Sequence, residues 1–513
     1  MRTRDARTFY ATLMLGSACA FALPALAAGL WIDGEPAVVV LGQPNFTTTG
    51  GALSASVMDH VFGVAVDPTN GKVFIADGNR ILRFSSAAAA VNGSAAEALF
   101  GQSNPTTGGS NAGSAVAAAH TFWTADQMVV DSSGRLWVAD RDNHRVLRFD
   151  NASVKANDAN ADAVLGQATF VANAANRGGN VAANTLNLPT GIGVDGMGAL
   201  WVADSANNRV LGYGFPAAKA NGAAADIVLG QADFTHNAVG GGAVGMRSPI
   251  SVVVGSDGAM YVADSLNSRV LRFDNVALKN SGASADGTLG HTGIASASSM
   301  STPEGVAVDD SGRLYVADTQ FNRILIFNNA SSKANGANAD NVLGQTNFTA
   351  STANTGGLSA STLSRPSAIV FDGAAQVLWT ADYVNSRALR YSLLGAVLDI
   401  DASGAPSKYD ALTDGLLTLR YLFGLSGSSL TSGALGGTAT RADPVTIKTY
   451  LDSIRPMLDI DGNGTSDALT DGLLVIRYLF GLRGASLTAG AIGPNAMRNT
   501  APLIEAYLQS LMP

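Results

Sequence analysis

A segment near the carboxyl terminus spaces its oxygen-bearing side chains as a calcium loop does. The residues concerned are Asp459, Asp461, Asn463, Thr465, Asp467 and Asp471. Counted from Asp459, the first five fall at positions 1, 3, 5, 7 and 9, and Gly464 at position 6 suits the sharp turn. Position 12 is Thr470 instead of an acid, so we expect Asp471 to close the shell after a one-residue bulge. The segment therefore predicts a calcium site, with Thr465 giving its carbonyl oxygen.

A related segment precedes this one by about sixty residues. Its candidate ligands are Asp399, Asp401, Ser403, Asp410 and Asp414. Three extra residues stand before Asp410, so we expect a weaker or altered site. The alternative is that both segments are only aspartate-rich helix caps. We favour calcium, because clustered carboxylates repel one another without a cation.

Two further carboxylates stand out in the first four hundred residues. When the repeats described below are aligned, Asp126 and Glu304 fall at one level in the second and fifth copies, where the other copies carry Phe62, Thr190, Ile250 and Ser367. Such a pair could hold a cation or act as acid and base, although solvated polar residues are the simpler interpretation. A zinc site among the histidines is a weaker alternative. The histidines are His60, His120, His144, His236 and His291.

Two phrases alternate along residues 37–392 and define the elements that position these groups. One is of the type LWVADSANNRVLGY (200–213), and the other is of the type VLGQ (228–231), with six copies of each. A fixed period of about sixty residues indicates stacked supersecondary units. Each unit contains four short runs rich in β-branched and aromatic residues, separated by Gly, Asn, Asp and Pro. Six such units predict a six-bladed β-propeller.

The order of strand types predicts how the ring closes. The chain begins with a fourth-type strand at 37–42 and leaves the last unit after a third-type strand at 387–391. We therefore expect the first strand to complete the last blade. The Asp and Arg that recur in every unit are expected to shape the blades, with each Arg reaching back to its Asp.

The repeats resemble the NHL family over roughly residues 37–392. The resemblance implies an all-β, six-bladed propeller, in a family that includes both enzymes and binding scaffolds. The segment 395–513 instead has helical periodicity, and its duplicated loops resemble those of dockerin domains. That resemblance implies a small α-helical, EF-hand-like domain that binds calcium.

The amino-terminal segment has the features of an export signal. Arg2, Arg4 and Arg7 precede an apolar stretch at 9–26, and Ala25-Leu26-Ala27 fits a cleavage site. We therefore predict a signal peptide at 1–27, a propeller at 28–394 and a calcium-loop domain at 395–513. No later segment is apolar enough to span a membrane, so we expect no membrane span after signal removal.

The composition indicates which classes of binding partner to expect. The net charge is -8, which disfavours binding to nucleic acid. Long Asn-, Thr-, Ser- and Gly-rich segments, such as 168–189 and 346–366, suit contacts with a glycan or protein. We expect a secreted, periplasmic or cell-surface binding protein without catalytic activity, whose partner is an exported protein or a cell-surface or matrix polysaccharide. The alternatives are a role beside polysaccharide-degrading enzymes, and a propeller hydrolase or lyase with a metal in its channel.

Overall fold

The computed structural model describes residue 31 and residues 33–393, 397–403 and 408–512. The described residues fall into two compact units, one over residues 31–393 and one from residue 397 onward. The predicted signal peptide at 1–27 lies outside the described residues, as do the predicted domain boundary at 394/395 and residues 404–407. No helix of the described ranges is both long and apolar enough to cross a membrane.

The first unit consists of short strands. The first twelve are β1 (Val39–Leu41), β2 (Val61–Val66), β3 (Lys72–Asp77), β4 (Arg80–Ser86), β5 (Ala98–Phe100), β6 (Ala125–Val130), β7 (Leu136–Asp140), β8 (Arg145–Phe149), β9 (Ala163–Leu165), β10 (Pro189–Val194), β11 (Leu200–Asp204) and β12 (Arg209–Tyr213). The other twelve are β13 (Ile227–Leu229), β14 (Pro249–Val254), β15 (Met260–Asp264), β16 (Arg269–Phe273), β17 (Gly287–Leu289), β18 (Pro303–Val308), β19 (Leu314–Asp318), β20 (Arg323–Phe327), β21 (Asn341–Leu343), β22 (Pro366–Asp372), β23 (Val377–Asp382) and β24 (Arg387–Ser392).

These strands form six four-stranded antiparallel sheets, which confirms the six-bladed propeller. Blades one to five run β2–β5, β6–β9, β10–β13, β14–β17 and β18–β21 in chain order. The second and third strands are buried on both sides, because each blade packs between two neighbours. This explains their nearly continuous apolar runs.

The sixth blade closes the ring as the strand order predicts. Its order is β1-β24-β23-β22, and Val40 of β1 pairs with Leu389 of β24. The segment before β1 also belongs to this blade. Asp33 Oδ1 accepts a hydrogen bond of 3.0 Å from Val342 N at the outer strand of blade five. Asn335 does the same for Thr288 N at 2.9 Å, so Asp33 takes the place that an Asn holds in most other blades.

The recurrent Asp and Arg form an ion pair in every blade, as expected. The pairs are Asp77–Arg80, Asp140–Arg145, Asp204–Arg209, Asp264–Arg269, Asp318–Arg323 and Asp382–Arg387. In blade three, Asp204 also accepts a hydrogen bond of 2.7 Å from Asn187 N, and Arg209 donates to three carbonyls of the neighbouring loops. Each pair therefore ties the turn between strands two and three to the loops that join blades.

The carboxyl-terminal unit is a repeat of short helices. They are α1 (Leu416–Leu422), α2 (Ser428–Thr431), α3 (Pro444–Ile454), α4 (Leu473–Leu479), α5 (Ala485–Thr488) and α6 (Ala501–Ser510). A π-helical turn precedes α1 at Ala411–Gly415 and α4 at Ala468–Gly472. A Cβ on Gly415 would lie 3.1 Å from the Ile476 side chain, and one on Gly472 would lie 2.9 Å from that of Leu419. The two glycines therefore allow α1 and α4 to pack closely.

Candidate functional site

Six residues form a ring at one mouth of the propeller channel. Each is the second residue of the first strand of its blade: Phe62, Asp126, Thr190, Ile250, Glu304 and Ser367. These are the six residues that the repeat alignment places at one level. Two of its positions carry carboxylates, of which Asp126 is buried and Glu304 is partly buried.

Asp126 is held by a neighbouring guanidinium. Arg141 Nη1 donates to Asp126 Oδ2 at 3.2 Å, and its Nη2 donates to Asp142 at 3.3 Å. Burial raises the pKa of Asp126 to about 6, although the positive charge of Arg141 opposes the shift. Asp126 is therefore a carboxylate that can gain or lose a proton near neutral pH.

Glu304 approaches Asp126 from the other side of the channel. Burial and then the charge of Asp126 raise its pKa to about 7, against the opposing effect of Arg365 and Arg141. Among the described residues, none donates a hydrogen bond to the Glu304 carboxylate. The geometry thus places two coupled acids at one level of the channel.

A side chain crosses the channel immediately beneath this ring. Gln127 of blade two donates from Nε2 to Glu304 O at 2.9 Å and to Ser367 O at 3.4 Å, which belong to blades five and six. On the far side of Gln127 the channel contains a cavity of about 140 Å³ lined mainly by apolar residues, including Val252 and Ile369. The mouth is therefore a shallow recess whose floor is Gln127.

Aromatic side chains border the recess on one side. The ring centroids of Phe62 and Tyr383 are 4.9 Å apart, and those of His60 and Tyr383 are 5.4 Å apart. The Arg141 guanidinium lies 5.5 Å from the centroid of Phe62. Sequence reasoning missed Arg141 and Tyr383. Both open the turn between strands two and three, where blades three to five carry Ser205, Ser265 and Thr319, and this departure from the repeat was the available signal.

Four of the five histidines, which are His60, His144, His236 and His291, each contact a different partner. His144 Nδ1 accepts a hydrogen bond of 3.0 Å from Leu188 N, and burial lowers its pKa. His236 and His291 are exposed and contact residues of their own loops. Across the described ranges, no group of three metal-ligating residues includes a histidine, Asp126 or Glu304. The described residues thus give no support to a shared zinc site.

The long loops between blades share the face of this recess. Arg209 Nη1 donates to Phe234 O at 2.7 Å in one of them. The glutamine of the VLGQ phrase fixes the same loop, because Gln231 Nε2 donates to Asn208 O and Ala238 O, both at 2.8 Å. These loops thus present polar, uncharged side chains on a fixed backbone.

A second candidate site lies in the carboxyl-terminal unit. Carboxylate oxygens of Asp459, Asp461 and Asp471 lie within 4.8 Å of one another. Asp461 and Asp471 are fully buried, and burial raises the pKa of Asp471. The π-helical turn at Ala468–Gly472 supplies the extra residue that brings Asp471 toward the loop. Three converging carboxylates are a donor set that suits a hard divalent cation.

The other predicted ligands of this loop have roles of their own. Asp467 Oδ1 accepts from Leu469 N and Thr470 N, both at 2.9 Å, and so caps the following turn. Asn463 Oδ1 accepts from Thr465 N at 2.8 Å. These three residues are not among the converging carboxylates. Arg498 was not singled out from the sequence, and its guanidinium donates to Ile460 O at 2.6 Å and to Asp459 O.

The first copy repeats this arrangement. Asp399, Asp401 and Asp414 bring carboxylate oxygens within 4.8 Å of one another. Burial, followed by the charge of Asp401, raises the pKa of Asp414 to about 6. Asp410 caps the next turn, and the buried Ser403 hydroxyl has no partner among the described residues. Gly404 and the next three residues lie outside the described part, so the insertion is known only from the sequence.

Comparison with known families matches the NHL repeat at three places. The matched residues are 122–149, 186–213 and 300–327. They cover the first three strands of blades two, three and five. The propeller carries NHL repeats. An NHL propeller supports a protein of binding or scaffold type.

Two solved structures similar to the chain have low sequence identity to it. A structural genomics protein of unknown function from Bacteroides thetaiotaomicron VPI-5482 is 15% identical with a TM-score of 0.44, covering 69% of this chain and 75% of its own. A streptogramin B lyase is 13% identical with a TM-score of 0.37, covering 67% of this chain and 96% of its own. A search of curated proteins gave no match. These similarities do not assign an activity to the NHL propeller.

Proposed function

We propose that this is an exported, non-catalytic binding protein in which the NHL propeller is the recognition scaffold. Its partner is another exported protein or a cell-surface or matrix polysaccharide. The observation that carries the proposal is that the charged residues fix the inter-blade loops, whereas the loops themselves present uncharged groups. Buried ion pairs such as Asp204–Arg209 fix the inter-blade loops, and those loops offer polar, uncharged groups on the face of the channel mouth. Ligands commonly bind to loops held by a rigid scaffold.

The proposal includes a dockerin-like carboxyl-terminal unit stabilised by calcium. Its support is the convergence of three carboxylates in each copy, with Asp461 and Asp401 both fully buried. A bound cation would offset the repulsion among these groups. The dockerin resemblance also suggests work beside polysaccharide-degrading enzymes, and this belongs to the same proposal.

The test is binding by the mature chain in calcium-containing buffer. Immobilised protein should retain purified cell-surface or matrix polysaccharide, or a purified exported protein, reversibly and in unaltered form. Failure to bind any member of either class would reject the proposal.

One observation favours a second function, that of a hydrolase or lyase. Asp126 and Glu304 have raised pKa values and lie at one level of the channel, as an acid and a base would require. Turnover of lactones, phosphoesters or glycans that is abolished by both Asp126→Asn and Glu304→Gln would establish it. We expect no such turnover.

A further inference from the structure

The turns of blades two and six at the channel mouth differ from those of the blades opposite. In blades three and five, the residue that opens the turn between strands two and three serves the scaffold. Ser205 donates to Pro249 O at 2.5 Å, and Thr319 donates to Pro366 O at 2.7 Å. Blades two and six replace this hydroxyl with Arg141 and Tyr383, which both contact Phe62 of the blade between them. In blades two and six, a hydroxyl that would bond to the scaffold is thus replaced by a side chain that joins a cluster with Phe62 at the recess.

The cluster combines an aromatic surface with hydrogen-bonding groups of both kinds. Phe62 and Tyr383 are only partly buried, so their rings are accessible from the recess. Arg141 is a donor, Asp126 is an acceptor, and the two form a neutral pair. Glu304, opposite, has no hydrogen bond from a described residue. Because burial and Asp126 raise its pKa to about 7, it can both donate and accept near neutral pH.

We propose that this recess binds the terminal sugar of a glycan. A pyranose has an apolar C–H face, which suits Phe62 and Tyr383, and hydroxyls that donate and accept at its edge, which suit Asp126, Arg141 and Glu304. The floor formed by Gln127 stops a chain from threading the channel, so the glycan enters by its end. The inference rests on the proposed binding function. It assigns the recognition of a polysaccharide to this one site.

The repeat itself supplies variants that keep the scaffold. Tyr383→Ser introduces the residue that blades three and four carry at this place, and Phe62→Thr introduces that of blade three. Arg247→Ser is the matched control. It removes an exposed residue of blade four and introduces the residue that blades five and six have there. Melting temperatures within a few degrees of the wild type would show that each variant is folded.

The experiment is a glycan array with the labelled full-length mature protein in calcium, followed by calorimetry with the best-bound oligosaccharide. We expect Tyr383→Ser and Phe62→Thr each to weaken binding tenfold or more, and Arg247→Ser to change it less than twofold. Absence of binding to any glycan overturns the inference, and retention of a protein partner would then still leave the proposed function standing. Glycan binding at full strength in both variants also overturns it, since the loops would then carry the proposed function.

Discussion

Two carboxylate–guanidinium pairs of this propeller differ in their surroundings, and these surroundings decide what each pair does. The Asp204–Arg209 pair is fully buried, and Arg209 donates three further hydrogen bonds to backbone carbonyls. The Asp126–Arg141 pair is longer, at 3.2 Å, and Arg141 is partly exposed at the channel mouth. The first pair makes its hydrogen bonds to internal partners, whereas the second retains hydrogen-bonding capacity toward a ligand.

Removing one member of a fully buried pair should lower stability strongly. We predict that Arg209→Met lowers the free energy of unfolding by about 3–5 kcal/mol, because Asp204 would be left buried without its counter-charge. The control is Lys219→Met, which breaks a pair with Asp226, whose side chain is 55% exposed. That change should cost less than about 1 kcal/mol. Denaturant titration measures both, and equal losses would contradict the structural role of the buried pair.

Glu304 should make the propeller less stable as the pH rises. Its folded-state pKa of about 7 exceeds its ordinary value of 4.5, so between these values the folded protein holds a proton that the unfolded chain releases. Glu304→Gln should flatten this decline and raise the melting temperature at pH 8. The corresponding gain in the free energy of unfolding is on the order of 1 kcal/mol or more.

Glu97 provides a control of opposite sign for that measurement. Although burial acts to raise its pKa, hydrogen bonds from Lys72 and Arg83 lower it overall, so its stabilisation is present above its ordinary pKa and is lost as the pH falls. Glu97→Gln should therefore lower the melting temperature at pH 8. Melting curves from pH 4.5 to 8 compare the two variants, and a drop at pH 8 for Glu304→Gln would refute the assignment of Glu304.

At the scale of elements, the amino-terminal segment serves as the tail of blade six. Val40 pairs with Leu389, Asp33 accepts from Val342 N, and Trp31 Nε1 donates to Tyr315 OH at 3.0 Å. The segment therefore binds two blades at once. It covers the outer edge of β24, which would otherwise expose unpaired backbone groups.

Truncation tests this closure. A chain beginning at residue 43 should melt several degrees below one beginning at residue 28, the expected mature start, because β1 and the Asp33 contacts are absent. Asp33→Asn is the milder control. It introduces the residue type of blades one, two, three and five and should melt within about one degree of the parent. Identical melting of the two truncated forms would disprove the closure.

The strands could be predicted because they recur, and the closure could be predicted because the strand types at the two ends complement each other. The contacts at the recess could not be predicted. The alignment gives the ring of Phe62, Asp126 and Glu304 directly. It gives no indication that Gln127 reaches two blades on the other side, since that contact joins residues 177 and 240 positions apart. The part of Asp33 was also hidden, because this copy has Asp where most others have Asn, and it is separated from the rest of its blade by the whole propeller.

The whole molecule consists of two compact units with different sources of stability. The propeller has apolar clusters between its blades and an ion pair within each blade. The carboxyl-terminal unit instead gathers Asp461 and Asp471, and likewise Asp401 and Asp414, in buried positions. Conditions that affect the carboxylate clusters should therefore change one unfolding transition and leave the other in place.

Calcium is the condition that should separate the two transitions. Binding to the folded state alone stabilises by about 2.7 kcal/mol at a hundredfold excess over Kd. Calorimetric scanning of the mature chain should thus show one transition that is higher in calcium than in chelator, and another that is unchanged. Asp459→Ala should remove most of the shift and Asp399→Ala less of it, because we expect the three inserted residues to weaken the first loop. Asp443→Ala, which removes only the cap of α3, should keep the shift. Equal scans in calcium and chelator, with no heat of calcium binding, would mean that these aspartates only organise the loops and cap the turns.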